Sequence, residues 1–173
     1  MGKPSKISYD EAIAGLTAEK HWEGAGSIEW VMTTAKQWPA SFKFRTALRV
    51  GSVRPEGLFL QLDYKMSLIE DVPDKLYMTL LVNNSRVFGV DVNGFAGHIN
   101  KVGVGKPFFM RRVSHPHIHL PVPEASYGYI EPIDEQPVSS LWQLFLSRAN
   151  ILGAPPLLNH PKVEQNPQQM RLI

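Results

Sequence analysis

The sequence predicts a single α+β domain with an N-terminal helix, an antiparallel β-meander of about five to seven strands and a C-terminal helix. Apolar residues recur at helical spacing near the start of the chain, alternate through its middle, and return to helical spacing beyond Pro137. At 173 residues, 43% hydrophobic and 20% charged, the chain is long and apolar enough for one sizeable core, which excludes a disordered chain.

Residues 1–6 read as a short polar arm. Ser8-Tyr9-Asp10-Glu11 is a capping box, with Ile7 placed as the apolar staple before it. Tyr9, Ala12, Ile13 and Leu16 then share one helical face, so a helix over Tyr9–Lys20 is expected, closed by Gly24 and Gly26. The period next drops to two. Ile28, Trp30 and Met32 alternate with polar or smaller neighbours, as do Phe42, Phe44, Thr46, Leu48 and Val50, and then Leu58, Leu60, Leu62 and Tyr64. Strands with one buried and one wet face alternate in this way. Turn residues at 37–39, 51–57 and 71–74 separate them, and Asn83-Asn84-Ser85 predicts a tight hairpin between Leu76–Val82 and Arg86–Val92.

Gly94, Gly97, Gly103 and Gly105 predict a long loop. Phe108–Val113 and Pro116–Val122 are expected as edge strands, because Pro107, Pro116, Pro121 and Pro123 fit poorly in a central one. Tyr127–Ile130 is a further short strand. Pro137 stands at a helix start, and Leu141, Leu144, Phe145 and Leu152 form a stripe that ends at Gly153. Trp30 and Trp142 are expected in the core. The domain therefore runs over 1–153, and 154–173 is a Pro/Gln-rich tail that packs little.

A net charge of +2 permits an acidic partner without demanding one. The absence of cysteine removes disulfides, thiolate metal sites and a cysteine nucleophile together. No apolar run approaches the roughly 18–20 residues of a membrane span, and the N-terminus lacks a signal-peptide segment, so a cytoplasmic protein without membrane contact is expected.

Four of the six histidines are His98, His115, His117 and His119. The last three alternate, so in a strand they share one face while Ile118, Leu120 and Val122 take the other. Lys43, Arg45, Arg49, Lys65 and Asp91 also lie on the non-aliphatic sides of their strands. If those sides coincide, one face carries imidazoles, basic groups and a carboxylate, which suits a phosphate-bearing ligand such as a nucleotide or nucleic acid. On this reading His117, His119, His98 and Asp91 are the catalytic set, and Arg111, Arg112 and Arg45 bind phosphate. A divalent metal on His115, His117 and His119 is the second reading of the same residues, with Asp91, His98 or Glu131 available to complete it, although no standard zinc spacing is present. A solvated sheet face is the plain alternative.

The spacing His115-x-His117-x-His119 resembles the histidine-triad motif of nucleotide hydrolases and transferases, which implies a nucleophilic His117. Asp91-Val92-Asn93-Gly94, His98-Ile99-Asn100 and Pro116-His117-Ile118-His119, with Tyr127–Pro132 and Leu141–Ile151, resemble a family of small uncharacterised bacterial and phage proteins over about residues 91–151. That resemblance implies phage or mobile-element association. His115-Pro116-His117-Ile118 is also similar to the His-Pro-Asn-Ile segment of the ubiquitin-conjugating fold, though a chain without cysteine lacks that family's catalytic group. The functional expectation is a small nuclease-like hydrolase directed at phosphodiesters or nucleotides. The rival expectation is a non-enzymatic phage-type binding protein, an inhibitor of host defence or an antitoxin-like partner. Edge strands near 108–122 allow a homodimer.

Overall fold

The protein, described here from a computed structural model over residues 7–33, 39–94, 97–157 and 161, folds as two helices against one large curled sheet. The capping box forms as the sequence predicts. Ser8 Oγ accepts from the Glu11 amide at 3.2 Å, and the Glu11 carboxylate accepts from the Ser8 amide at 2.8 Å, opening α1 (Tyr9–Thr17). The strands follow as β1 (Lys20–Trp22), β2 (Val31–Met32), β3 (Ser41–Arg49), β4 (Phe59–Lys65), β5 (Lys75–Val82), β6 (Ser85–Asp91), β7 (His98–Ile99), β8 (Arg112–Val113), β9 (His117–Val122) and β10 (Ala125–Pro132). Helix α2 (Val138–Arg148) and β11 (Ile151–Leu152) complete the described order.

The main sheet runs β10-β9-β6-β5-β4-β3-β1-β11, with β2 added against β3. Nine strands thus curl into a half-barrel, where a simple meander of five to seven was expected. The meander survives as β3–β6, whose pairs are all antiparallel. Asn83 and Asn84 take φ of 50° and 59°, the left-handed pair that a two-residue hairpin turn needs between β5 and β6.

Several elements depart from the sequence reading. The helix stops at Thr17, and Lys20 belongs to a strand. The alternation at 28–32 yields only the two exposed residues of β2. Of the strand expected at 108–113 only Arg112–Val113 forms, paired with β7 as a separate two-stranded sheet. Three successive tight turns, closed by bonds to the carbonyls of Gly103, Lys106 and Phe108, use up the backbone before it. Strand β9 is not an edge. It pairs with β6 on one side and β10 on the other, and its pairing with β6 ends at His119, before Pro121 would have to donate. Leu152 leaves the helical stripe to become the exposed end of β11. Ala154 packs on the core and Leu157 is buried in it; of the expected tail only residues 154–157 and 161 are described, and the N-terminal arm and Gln37-Trp38 also lie outside the described residues.

The core lies between the helices and one sheet face. Leu60, Leu62, Met78, Leu80, Phe88, Val90 and Ile118 meet Ala12 of α1 and Leu141, Trp142 and Phe145 of α2. Phe88 stacks on Phe145 at 5.7 Å, and Trp142 donates its indole N–H to the Pro155 carbonyl at 2.9 Å. Trp30 is only partly buried at the margin. A Cβ on Gly15 would lie 2.6 Å from the Val82 methyls, so the missing side chain is what lets α1 sit this close to β5. No helix among the described residues is long and apolar enough to cross a membrane.

The end of α1 is closed by residues far from it in type or in sequence. The fully buried Lys20 donates its ammonium to the carbonyls of Leu16 at 3.0 Å and Ala18 at 2.5 Å, and Asn150 Nδ2 donates to Thr17 O at 2.8 Å. Carbonyls at a helix C-terminus lack intrahelical donors, so these bonds fill that need. Burial pushes the Lys20 ammonium from 10.5 down to about 8. The unfolded chain therefore holds this proton across a range where the folded chain has released it, and stability rises with pH between those values. Urea titrations from pH 7.5 to 9.5 are expected to show the parent gaining stability relative to Lys20→Met as the pH rises; parallel curves would contradict this.

Candidate metal centre

The face of the sheet away from the helices is built in rungs. Lys43 pairs with Asp63, Asp63 with Tyr77, Tyr77 with Asp91 and Asp91 with His117. The next rung runs Arg45, Gln61, Thr79, Gly89, His119. Residues paired across strands share a face, so these side chains all stand on the sheet surface opposite the core. The polar sides that alternation identified strand by strand do coincide.

At the β6–β9 end of these rungs three ligand-type atoms converge. His119 Nε2 lies 3.1 Å from Asp91 Oδ2, His117 Nε2 lies 3.4 Å from the same oxygen, and the two Nε2 atoms are 3.3 Å apart. His117 and His119 are 2% and 8% exposed, so water does not separate these groups. His117 Nδ1 sits 3.0 Å from the Ser114 carbonyl. A carbonyl only accepts, so Nδ1 carries a proton there, and Nε2 is the ring nitrogen directed at Asp91 and His119. Two imidazole nitrogens and one carboxylate oxygen thus face one another. A cation at about 2.0–2.2 Å from each atom would satisfy all three, and corners 3.1 to 3.4 Å apart allow that distance.

Burial acts to raise the Asp91 carboxyl, but hydrogen bonds from His117 and His119, with their charge, outweigh it and hold the group well below the ordinary carboxylate range. His115 and His98 are pushed down by burial first and by the neighbouring imidazoles second, which favours their neutral forms.

Other residues fix the cluster. Tyr127 stacks flat on His119, with ring centroids 4.2 Å apart and planes 3° apart. It reaches that position because β6 carries Gly89 there. A Cβ on Gly89 would lie 2.7 Å from the Tyr127 hydroxyl and 3.0 Å from the Met78 carbonyl. His115 packs against His117 at 4.4 Å between centroids and lies directly over Gly94, whose Cβ would fall 2.5 Å from the ring. Asn100 is fully buried: it accepts from the Ile130 amide at 2.7 Å and donates to the carbonyls of Ile130 and Phe108 at 2.8 and 2.9 Å. This pins the arm that carries His98, whose ring stands 6.5 Å from that of His119. His119 Nδ1 is buried with no hydrogen-bond partner among the described residues.

The structure thus brings together Asp91, His117 and His119, with His98 and His115 in the wall of one cleft of about 320 Å³. The three ligand atoms that converge include Asp91 in the place expected for His115, whose ring lies alongside. Glu131 pairs with Ile118 and so belongs to the opposite face. Arg45 lies over the Phe59 ring at 4.0 Å, on β3, three strands away from β6 in the sheet. Exposed Arg112 donates to Gly97 O at 3.2 Å, and Arg111 is also exposed; none of the three arginines lines the cleft. The basic group that does is Lys75, with Tyr77 beside it. Both sit on the polar side of β5 by strict alternation, a signal present in the sequence but unread. Searches against family models, characterised proteins and solved structures find no match for the chain.

Two substitutions probe the supports. Gly89→Ala drives a methyl into Tyr127 and the β5 backbone and is expected to lower stability by about 1–3 kcal/mol, read by urea denaturation together with a change in Tyr127 fluorescence. Asn100→Ala strips partners from both backbone groups of Ile130 and is expected to lower stability by about 2–3 kcal/mol. Faster amide exchange over 98–113 should accompany it, and unchanged exchange there would remove Asn100 from this role.

Proposed function

We propose that the protein is a metal-dependent hydrolase of phosphate esters, of the phosphodiester or nucleotide class. The observation that carries the proposal is the convergence of His117 Nε2, His119 Nε2 and Asp91 Oδ2 within 3.4 Å of one another. Two imidazoles and one carboxylate leave positions on a divalent ion open for water and substrate, as in hydrolytic zinc sites. A cation bound there supplies positive charge for a phosphoryl oxygen and acidifies a water. The second support is the charge around it. Lys75 lines the same cleft, and Arg86 lines the cavity next to it, so an anionic substrate is drawn toward the ligand cluster.

A ligand role for His117 is preferred to the nucleophilic role that the histidine-triad resemblance implies. Its Nε2 is directed at Asp91 and His119, and the side chain is 2% exposed. His117 Nδ1–H bound to a backbone carbonyl is also the usual outer support of a metal-ligating histidine, because it fixes the tautomer that leaves Nε2 free.

The test is cation content of the untagged protein, measured beside hydrolysis of bis-p-nitrophenyl phosphate and of nucleoside monophosphates. About one cation per chain is expected, with hydrolysis falling about 100-fold or more on chelation and in His117→Gln, His119→Gln and Asp91→Asn. Alanine is avoided at the histidines because both are buried and a cavity would confound the result. A cation-free parent with unchanged variants would overturn the metal centre, and a loaded parent inert toward every phosphate ester would overturn the reaction.

A further inference from the structure

A second cavity, of about 220 Å³, adjoins the cleft and shares Tyr77, Asp91 and His119 with it. Its other walls are Asp63, Thr79, Arg86 and Tyr127, and among the described residues no aliphatic side chain lines it. The rungs explain the position. Asp63 and Tyr77 continue the Asp91 rung, while Thr79 and Gly89 continue the His119 rung, so the cavity follows the sheet surface away from the ligand cluster.

The lining selects the chemistry of an occupant. A second phosphate would face two carboxylates, Asp63 and Asp91. An apolar group would strip water from Asp63 and Arg86 and return nothing. The Tyr127 ring offers a nucleobase no open face, since it carries His119 on one side at 4.2 Å and has the Arg86 guanidinium at 5.8 Å. A hydroxylated ring meets each demand, because one hydroxyl donates to a carboxylate while another accepts from a guanidinium. The volume also lies below the roughly 300 Å³ at which pockets for drug-sized ligands begin, which suits one sugar ring and not a whole nucleoside. Asp63 is held in place for this task, since Gln61 Nε2 donates to it at 2.8 Å and Lys43 lies 3.6 Å away.

We propose that this cavity is a sugar subsite, so that the phosphate ester held at the metal centre is carried on a sugar whose hydroxyls are bound by Asp63 and Arg86. The inference rests on the hydrolase reading for the phosphate and adds the group next to it.

Calorimetric titration of the purified protein with ribose 5-phosphate and with tetrahydrofurfuryl phosphate isolates the claim, because the two probes share ring and phosphate and differ in hydroxyls. The parent is expected to prefer ribose 5-phosphate by about tenfold or more. Asp63→Ala and Arg86→Gln should bring that ratio close to one, with cation content and thermal midpoint recorded for each variant as a check of folding. Equal affinity of the parent for both probes, or a preference that survives in both variants, would overturn the subsite. The ratio needs no turnover, so a protein that shows the preference but holds no cation or cleaves no ester would count against the hydrolase alone.

Discussion

The pairing of β6 with β9 places Asp91 opposite His117 and Gly89 opposite His119. A slip of one residue would send both imidazoles to the helix side and bring Ile118 and Leu120 out, which the core forbids because Ile118 is buried there with Phe88 and Val90. The aliphatic half of β9 therefore enforces the position of its histidine half. The same register continues through β5 and β4, which is why a carboxylate, a tyrosine and a second carboxylate line up along a single rung with His117. Packing on one face of the sheet sets the chemistry on the other.

Two residues without reactive groups hold this arrangement in three dimensions. Gly89 leaves a gap in the polar face that Tyr127 fills, and Tyr127 then fixes the plane of His119. Asn100 ties the segment after the loop to the outer strand β10 by bonding both backbone groups of Ile130. A sheet margin with open N–H and C=O groups invites pairing with another chain, and a buried amide on those groups removes that opportunity at this point of the strand. One side chain thus positions His98 and protects the margin of the sheet.

The strands with strict alternation, β3 to β6, were legible because each buries one face, and the capping box was legible because it is a local motif. The grouping of the histidines with Asp91 was legible in part. Alternation places side chains on faces within a strand, but the register between strands depends on contacts distant in sequence. That is why the ligand set joins Asp91 to His117 and His119 with His115 at its flank, and why alternation alone points to Arg111, Arg112 and Arg45 while the cavities present Lys75 and Arg86. Prolines at 116, 121 and 123 suggested an edge, but β9 is inserted in the sheet after a long excursion, and its proline lies past the last β6 pair. Short elements such as β7, β8 and β11 have no pattern long enough to read; they exist because a partner strand is there.

The closure of α1 by Asn150 joins groups 133 positions apart, and the adjacent strand β1 has β11 as its parallel neighbour. During synthesis the chain emerges from its N-terminal end, so α1 is complete long before Asn150 and Ile151 exist. Until then the carbonyl of Thr17 and one margin of β1 have only water to bond, and the half-barrel stays open on that side. Among the described strands, the last to leave the ribosome is the one that seals the first, and a nascent chain stalled before residue 150 exposes its beginning as well as its end.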